Sequence, residues 1–453
     1  MPTFSLQRLL IVGLCLGLLS ACAREPTTDC PMPPGAPDVQ IPSLQPRGEG
    51  QSGRVAWLVP ESWIGPGLDR VLSAFAQDNP WVTVETVPAA DGQMLATAEA
   101  MLEVGDRVPD VVTLRGVDTA YLAGAGVLDT LWNLFTFDQK QDWLANAWAA
   151  GWYSQDAYSA PLVTGTRILF LNLDLLGYAG LKPPEIEDRW TWNEVAQAAQ
   201  KLTRDANEDG QTDVWGLGWE TPSPLEIAAL GEAYAGRGYG EKGALGRGSV
   251  DSSAWVKAFN FYGDLEAEGY LAPPETSGDM ALAFARGELA MFIGDPSWVR
   301  RFDAAGENAV PFRLGATRFP VFRTRAVAVP RDGWHLALAA RGGEKAAAAA
   351  LITWMTTGKG AELFWTNVGV GMPAQKSLLA KAKASGASAI GQVLAMAAED
   401  ASLESPAIPS SPAFPGVEWV LGEAFARIRE GEAVAPTLRR TADCIDALVP
   451  GEN

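Results

Sequence analysis

The sequence predicts two α/β domains, each built on a sheet flanked by helices. The first observation is length, because 453 residues exceed the size at which a single hydrophobic core stops growing. The second is composition, since 47% of the residues are apolar and 17 are Trp, enough for two cores. The third is an alternation of short apolar runs with segments of helical periodicity, which is typical of α/β domains.

The first half of the folded region begins with a buried strand. Apolar residues then recur at helical spacing up to Pro80, which ends the helix. The predicted order is strand 55–59, helix 68–79, strand 81–87, helix 94–104 and strand 110–114. Strand–helix–strand alternation at this spacing indicates a mostly parallel sheet with helices on both faces.

The same alternation resumes further along the chain. Thr191, followed three residues later by Glu194, matches a capping box and marks the start of a helix. A glycine-rich stretch, 231–248, separates two further helices. The remaining predicted elements are strand 167–171, helix 191–202, helix 225–235, a helix from Ser252, strand 288–294 and helix 344–356.

Residues 1–21 have the organisation of a signal peptide. Arg8 supplies a positive charge, and the apolar run 9–19 is too short to span a bilayer. Residues 19–22, Leu-Ser-Ala-Cys, resemble a bacterial lipobox, in which the Cys is lipidated after cleavage. We therefore expect an exported lipoprotein, anchored through Cys22 to the cell membrane or facing the periplasm. The alternative is a secretory signal cleaved at another small residue, with Cys22 incidental.

Residues 22–52 are dense in Pro, Gly, Thr and Ser and lack apolar periodicity. This composition predicts a semi-rigid, extended linker that holds the folded body away from a membrane. Cys15 leaves with the signal and Cys22 carries lipid, so Cys30 and Cys444 remain. In an exported chain these two residues either form a disulfide that ties the ends together or stay as free thiols.

Charge and motifs exclude several classes of function. The chain carries 54 acidic and 35 basic side chains, so nucleic acid and anionic lipid are poor partners, and an anionic ligand is disfavoured. His335 is the single His, which leaves little for a Ser-His-Asp system or a His-based metal centre. Residues 238–243 match a dinucleotide-binding pattern, but they follow a predicted helix and not a strand. We expect neither an enzyme nor a cofactor.

One acidic loop resembles the start of an EF-hand calcium loop. Oxygen-bearing side chains alternate along it, with Gly at the sixth position. The twelfth position is Gly216, where a bidentate Glu is needed. The alternatives are a structural calcium site and a plain Asx-rich turn. The candidate ligands are Asp205, Asn207, Asp209 and Asp213.

Five segments, in order, resemble extracellular solute-binding proteins that serve ABC-type importers of sugars. The similarity extends over about residues 53–440, and the most specific match is Phe-Ala-Arg-Gly-Glu-Leu-Ala-Met-Phe-Ile-Gly at 284–294. The other segments are 109–112 with 123–128, 161–167 with 171–176, 190–194 and 333–338.

The resemblance implies a two-lobe, periplasmic-binding-protein-like fold of type II, with mixed sheets flanked by helices and a hinge between the lobes. The first lobe is expected at 53–160 plus 317–372, and the second at 161–316 plus 373–445. Such a monomeric receptor captures a sugar by hinge closure and delivers it to a membrane permease. The alternatives are a receptor for a polyol, a peptide or a polyamine, and a carboxylate-pair glycosidase.

A sugar site needs flat aromatic rings for the C–H faces and polar side chains for the hydroxyls. The resemblance places Trp334 at the interlobe cleft, where it is the first candidate platform. Asp295 and Trp298 follow the strand that ends at Gly294, although Asp295 alternatively caps a helix.

The remaining candidates also follow predicted strands, where open α/β sheets bind ligands. Trp219 and Glu220 would serve as platform and acceptor. Trp63 follows the first strand, and its alternative role is packing on the next helix. The other candidates are Arg115, Asp118 and, beside the hinge glycine, Thr164 and Thr166.

Overall fold

The fold is given by a computed structural model of the chain. It describes residues 30–31, 53–104, 108–186, 188–220, 226–227, 229–231, 246–273, 279–303, 309–322, 333–384, 386, 388–403 and 411–449. The predicted signal peptide, Cys22, most of the linker and residues 238–243 lie outside the described residues. Within the described ranges, none of the helices has the length and apolarity needed to cross a bilayer.

The strands are short and spread along the whole chain. They are β1 (Arg54–Pro60), β2 (Thr83–Ala89), β3 (Val111–Arg115), β4 (Leu128–Asp129), β5 (Trp152–Tyr153), β6 (Asp156–Ala157), β7 (Ser159–Pro161), β8 (Val163–Thr164), β9 (Ile168–Asn172), β10 (Gly218–Trp219), β11 (Met291–Gly294), β12 (Leu314–Arg318), β13 (Trp334–Ala339) and β14 (Met372–Pro373).

The helices cover both sheets and fill the C-terminal quarter. They are α1 (Pro66–Asp78), α2 (Met94–Val104), α3 (Thr119–Gly124), α4 (Phe137–Asp142), α5 (Ala145–Ala150), α6 (Leu173–Tyr178), α7 (Trp192–Leu202), α8 (Ser253–Ala267), α9 (Met280–Arg286), α10 (Trp298–Asp303), α11 (Lys345–Thr356), α12 (Gly358–Asn367), α13 (Lys376–Ala384), α14 (Ala389–Ser402), α15 (Phe414–Arg429) and α16 (Val434–Leu448).

The first sheet has the order β2-β1-β3-β13-β4, with β7 also paired to β13. Strands β1, β2 and β3 are parallel, as the sequence predicts, whereas β13 runs antiparallel to β3, β4 and β7. Every residue of β1 after Arg54 is buried, because helices cover both faces of the sheet. This sheet forms the core of the first lobe.

The second sheet has the order β10-β11-β9-β12. Only β10 and β11 are parallel, while β9 runs antiparallel to both β11 and β12. This sheet is therefore mixed, as the resemblance implies, because its strands reverse direction where the parallel strands of the first sheet are joined by helical crossovers. The C-terminal helices α13 to α16 pack on this sheet and its helices. The mixed α/β class with two lobes is confirmed.

Local sequence signals fix several element ends. The capping box predicted at Thr191 is confirmed: the Thr191 hydroxyl accepts the Glu194 N–H, and the Glu194 carboxylate accepts the Thr191 N–H. The strand predicted at 288–294 begins only at Met291. The Glu288 carbonyl instead accepts a hydrogen bond from the Trp215 N–H, outside the strand.

The order of the described elements places three crossings of the chain between the lobes. The crossings are β7 to β9, β12 to β13, and α12 to α13. Strands β8 and β14, which pair with each other between Thr164 and Met372, hold the first and third crossings together. Gly371 lies there at φ +61, with a Cβ position only 3.0 Å from the Thr164 carbonyl oxygen. A residue with a side chain would be strained at this point of the hinge.

One predicted lobe boundary is wrong. Residues 317–322 were assigned to the first lobe, but Thr317 and Arg318 pair with β9 of the second sheet. Phe319 and Phe322 pack around Trp192 in the same lobe. The second segment of the first lobe therefore begins near β13, because β12 completes the second sheet before the chain crosses.

Cys30 and Cys444 form a disulfide, with 5.5 Å between their Cα atoms. Cys444 is buried in α16, and Cys30 packs against the hydrophobic cluster of the second lobe. Of the two states expected from the sequence, the structure contains the bonded one. It attaches the N-terminal segment to the second lobe.

Candidate ligand-binding cleft

The two sheets present corresponding ends at the hinge. In the first lobe, Arg115 ends β3 and is paired in register with Trp334, which begins β13. In the second lobe, Trp219 of β10 is paired with Ile293 of β11. The residues that follow these strands therefore lie at the edge of each sheet from which the chain crosses to the other lobe.

Three predicted or adjacent polar residues meet at this edge of the second sheet. Gly294 of β11 pairs with Ile168 of β9, which places Asp295 next to Arg167. The Glu220 N–H donates to the Ile293 carbonyl, so Glu220 continues the ladder beside them. The antiparallel and parallel registers together bring Arg167, Glu220 and Asp295 to one place.

Arg167 is the cation of this edge, and it is held by a buried carboxylate. Its Nε donates to Glu226 Oε1 at 2.6 Å, while the Trp219 indole N–H donates to the other oxygen at 3.0 Å. Burial alone would lower the pKa of Arg167, but Glu226, Glu220 and Asp295 together raise it. These carboxylates therefore keep the guanidinium charged despite its burial.

Burial raises the pKa of Glu220, and the neighbouring charges of Asp295 and Glu226 raise it further. Arg167 opposes this shift, as does a hydrogen bond from the Trp298 side chain. Asp295 accepts a hydrogen bond from the Ser297 N–H at 2.8 Å, in the turn before α10. Its capping role, the alternative expected from the sequence, is thus present, and it leaves the carboxylate beside Glu220.

Trp334 is half-buried at the start of β13. Its ring lies edge-on to Trp63 at 5.7 Å. Trp63 is only 4% exposed and also packs on Phe364. The prediction of Trp63 as a ligand platform is therefore corrected to a core position that supports Trp334, because its faces are covered by its own lobe.

Two tryptophans of the second lobe also differ from their predicted roles. Trp219 is 2% exposed and stacks on Trp192 at 5.1 Å, so it is a core residue and does not offer a platform. Trp298 is half-buried, but its ring stacks on Phe302 and is covered by Arg301. What Trp298 offers to the edge is its N–H, which is directed to Glu220.

Arg115 and Asp118 form an ion pair instead of a ligand contact. Arg115 donates to Asp118 through Nε and Nη2 at 2.9 and 2.8 Å, and Asp118 is buried. Burial raises the pKa of Asp118, while Arg115 lowers it. The prediction of these two side chains as direct ligand contacts is corrected, because their polar atoms are used by each other and by Glu418.

The contact with Glu418 joins the two lobes. Arg115 donates to the Glu418 carboxylate at 2.8 and 2.6 Å. Arg115 belongs to the first sheet, whereas Glu418 lies on α15, whose apolar residues pack in the second-lobe cluster. Val117 of the first lobe packs in that cluster as well. This ion pair and Val117 are therefore two of the contacts that join the lobes in the described part of the chain.

The hinge threonines are buried. Thr164 is 4% and Thr166 1% exposed, and the Thr166 hydroxyl has no hydrogen-bond partner. Thr166 immediately precedes Arg167 at the crossing from β8 to β9. Its hydroxyl is therefore a buried polar group without a partner at this crossing.

The acidic loop at 205–213 uses its oxygens internally. Asp205 accepts the Gly210 N–H at 2.7 Å, Asn207 accepts the Asp209 N–H at 2.9 Å, and Asp213 accepts the Ala206 N–H at 2.7 Å. Among the described residues, no three His, Cys, Asp or Glu side chains converge as a metal site would. The geometry is that of an Asx-rich turn, and calcium binding stays an untested prediction.

His335 is a buried, neutral residue of the first sheet. Its Nδ1 lies 2.8 Å from the Ser159 hydroxyl, and burial lowers its pKa to about 3. The unfolded chain takes up a proton near pH 6.5, whereas the folded protein does not. The unfolded state therefore binds more protons as the pH falls below 6.5, and His335 makes the protein less stable there.

This shift predicts a pH dependence of the free energy of unfolding. Between pH 6.5 and 5.5, His335 should lower it by about 1 kcal/mol. Urea unfolding of the unmodified protein and of His335→Gln at the two pH values measures the effect. In His335→Gln the free energy of unfolding should fall less between the two pH values, because the contribution of His335 is absent. Equal declines in the two proteins would contradict a neutral, buried His335.

Three residues of the cleft were not predicted as site residues from the sequence. Arg167 carries a usable signal, since it is the charged residue that directly precedes the fully buried strand β9. Glu226 and Glu418 are acidic residues within helical segments, and nothing near them in the chain distinguishes them from solvent-exposed helix residues. They became recognisable only when the fold brought them to the arginines.

Two lobes joined by crossings of the chain, with charged and aromatic side chains at the facing sheet ends, are the architecture of a two-lobe binding protein. The family described as bacterial extracellular solute-binding protein matches residues 60–362. The chain belongs to that family.

Known relatives extend this comparison. An uncharacterised lipoprotein from the oleD 5′ region of Streptomyces antibioticus is 25% identical over 176 residues, 38% of each chain. The match thus spans well under half of that relative. The GacH receptor of Streptomyces glaucescens, solved unliganded and with acarbose, superposes with a TM-score of 0.74 at 20% identity, covering 89% of this chain and 100% of that one. The substrate-binding protein Lmo0181 of Listeria monocytogenes, solved with cycloalternan, gives 0.74 at 20% identity, covering 87% and 98%.

Proposed function

We propose that this protein is the receptor of an ABC importer and that it captures a sugar between its two lobes. The observation that carries the proposal is the arrangement of the cleft. Trp334 lies at the edge of one sheet, and the hydrogen-bonding groups of Glu220, Asp295 and Arg167 lie at the corresponding edge of the other. An aromatic face opposite a polar edge matches the two surfaces of a sugar ring. The acarbose and cycloalternan complexes of the similar structures support the same ligand class.

Capture requires that the lobes move about the hinge. Strands β8 and β14 join two of the crossings, and Gly371 beside them has backbone freedom that other residues lack. A ligand that contacts both lobes stabilises the closed form in proportion to its preference for that form. The closed form would then present a joint surface of both lobes to the permease.

A thermal-shift screen tests the ligand class. Sugars, polyols, peptides and polyamines are added separately, and a ligand that binds the folded state raises the melting temperature by mass action. We expect a sugar to give the largest shift at equal concentration. Shifts from peptides alone, or from no member of the panel, would overturn the proposal.

The carboxylate pair also bears on catalysis. A carboxyl with a raised pKa beside a second carboxylate is the arrangement that a glycosidase uses, and Glu220 and Asp295 resemble it. We nevertheless propose binding without turnover, because the family consists of solute-binding proteins. Each oligosaccharide hit is incubated with the protein and analysed for shortened products. If the unmodified protein releases a shortened product and Glu220→Gln does not, the protein is an enzyme and the receptor proposal is wrong.

Trp334→Ala tests the platform. Loss of the indole should weaken sugar binding by at least about 1 kcal/mol, roughly fivefold in Kd, as expected for a stacking aromatic. Titration calorimetry with the best sugar hit measures the change. Trp354→Ala is a suitable control, since Trp354 packs on Phe75 and donates to Asp78 at the far side of the first lobe. An affinity unchanged by Trp334→Ala would remove this residue from the site.

We also propose that Cys22 carries the lipid anchor, that the protein faces the cell exterior or the periplasm, and that it acts as a monomer. The lipobox-like residues 19–22 and the relative described as a lipoprotein support the anchor. Detergent phase partitioning of the full-length protein and of Cys22→Ser tests it. The unmodified protein should enter the detergent phase and the variant the aqueous phase; the same partitioning for both would contradict the anchor.

A further inference from the structure

Helix α10 lies between the polar edge of the second lobe and the hinge. The turn before it contains Asp295, which accepts the Ser297 N–H at 2.8 Å, and the side chain of Trp298, its first residue, donates to Glu220. The helix has six residues and a length of about 9 Å. Because a helix this short moves as a unit, a shift of the edge also shifts the residues further along α10.

Arg300 of α10 points away from the polar edge and toward the first lobe. It follows Trp298 by two positions, which is about 200° around the helix axis. Its Nη1 donates to the Trp365 carbonyl at 2.8 Å, and its guanidinium lies 4.9 Å from the centre of the Trp365 ring. One side chain thus contacts both the backbone and the indole of Trp365, two contacts that a planar guanidinium makes well.

The Trp365 carbonyl is a favourable acceptor because it lies near the C-terminal end of α12. The last four carbonyls of an α-helix lack an intrahelical partner, and this end of the helix carries the negative pole of its dipole. Burial lowers the pKa of Arg300, since the guanidinium has lost part of its hydration. The contact with α12 therefore replaces water for a half-buried cation.

The contact of Arg300 with α12 joins the two lobes. Helix α12 is fixed to the first lobe by Phe364, whose ring packs on Trp63 at 5.1 Å. Helix α10 is fixed to the second lobe by Phe302, whose ring packs on Phe170 of β9 at 5.2 Å. Each helix is anchored in its own lobe, and Arg300 bridges them.

The same contact lies beside the third crossing of the chain, from α12 to α13. A Cβ atom at Gly369 would lie 3.6 Å from Arg300 Nη1, so the guanidinium borders the start of this crossing. Its end is held from the first lobe, where Asp142 accepts the Ser377 N–H at 2.9 Å and the Ser377 hydroxyl at 2.6 Å. Rotation of one lobe relative to the other must therefore either preserve or break these contacts.

On the basis of the proposed function, we infer that Arg300 is a positioning residue that couples the polar edge to the hinge. Its bond to α12 holds α10, and with it Asp295 and Trp298, at the angle where the edge faces Trp334. Without this bond the lobes open further, and the arrangement that captures a sugar is populated in a smaller fraction of the molecules. The apparent Kd rises in inverse proportion to that fraction.

Small-angle scattering of the ligand-free protein tests the effect of Arg300 on the lobes. Arg300→Met keeps an unbranched apolar side chain but removes the donors and the charge, so we expect a larger radius of gyration than in the unmodified protein. Arg300→Lys still places a cation and a donor near Trp365 and should stay close to the unmodified value. Arg204→Met is the matched control, since Arg204 is a half-buried arginine that lies 5.1 Å from the Tyr178 ring centre within the second lobe. An unchanged radius in Arg300→Met, or an equal increase in the control, overturns the inference.

Calorimetric titration tests the effect on binding, with the sugar that gives the largest thermal shift in a panel that includes glucose, galactose, maltose and maltotriose. Arg300→Met should raise the Kd about tenfold, and Arg300→Lys should recover most of the loss. A loss of affinity at an unchanged radius would mean that Arg300 contacts the sugar. A larger radius at an unchanged affinity would mean that the lobe angle does not govern capture. Either result overturns the coupling and leaves sugar capture standing, whereas no thermal shift with any sugar overturns both.

Discussion

Glu418→Gln is expected to weaken ligand binding about tenfold, because the variant loses the ion pair that joins the lobes. Breaking one partner of a desolvated charge pair across an interface costs several kcal/mol. Here Arg115 and Glu418 remain 27% and 20% exposed, and solvent screening reduces the loss to about 1.5 kcal/mol. Titration calorimetry gives the affinity, and small-angle scattering of the ligand-free protein reports the opening of the lobes.

Glu418 is the suitable partner to change, because Arg115 also neutralises the buried Asp118, and its removal would destabilise the fold itself. Glu266→Gln provides the matched control: Glu266 is similarly buried and pairs with Arg429 at 2.7 Å, but both residues belong to the second lobe. This variant should bind ligand normally. If Glu418→Gln retained both its affinity and its unliganded dimensions, the ion pair would have no part in closure.

Replacing Cys30 and Cys444 together by Ser should lower the free energy of unfolding by about 2–5 kcal/mol, the usual effect of removing a native disulfide. The bond closes a loop of sequence separation 414 and so restricts nearly the whole unfolded chain. Guanidinium unfolding of the oxidised protein and the double variant measures the difference. The double variant is preferable to a single one because it leaves no reactive thiol.

Ligand affinity is the control for this comparison. The disulfide lies on α16, away from the edges that carry Trp334 and Glu220, so the double variant should bind as tightly as the unmodified protein. A loss of stability below about 0.5 kcal/mol would mean that the bond adds nothing beyond the packing of Cys30 on the second lobe.

Most elements of the fold could be predicted from the sequence, because apolar periodicity and helix capping depend on residues that are close together in the chain. The strand before Trp63, the helix capped by Thr191 and the segment 284–294 were each recognisable from a few neighbouring residues. The strand directions of the second sheet were not, because antiparallel pairing of β9 depends on residues more than a hundred positions away. The same applies to the lobe boundary, since β12 differs from a first-lobe strand only in its partner.

The site was predicted less well than the fold. The structure places Glu220 directly after β10, Asp295 directly after β11 and Trp334 at the start of β13, and their contact with a ligand stays a prediction. Which Trp faces outward depends on what covers it, however, and Trp219 and Trp63 are covered by rings from distant segments. Arg115 illustrates the same limit, because its partner Glu418 is 303 positions away. Sequence position therefore located the edge without revealing how its charges pair.

With the lipid anchor proposed above, the disulfide would determine which lobe lies nearer the membrane. If Cys22 carries lipid as proposed, the shortest covalent route to the folded body runs through residues 22–30 and enters the second lobe at Cys444. That route reaches at most about 30 Å, whereas the route through residues 22–53 to β1 would reach about 110 Å. The second lobe would then lie close to the bilayer. The first lobe, which carries Trp334, would move relative to the second lobe when the hinge opens and closes.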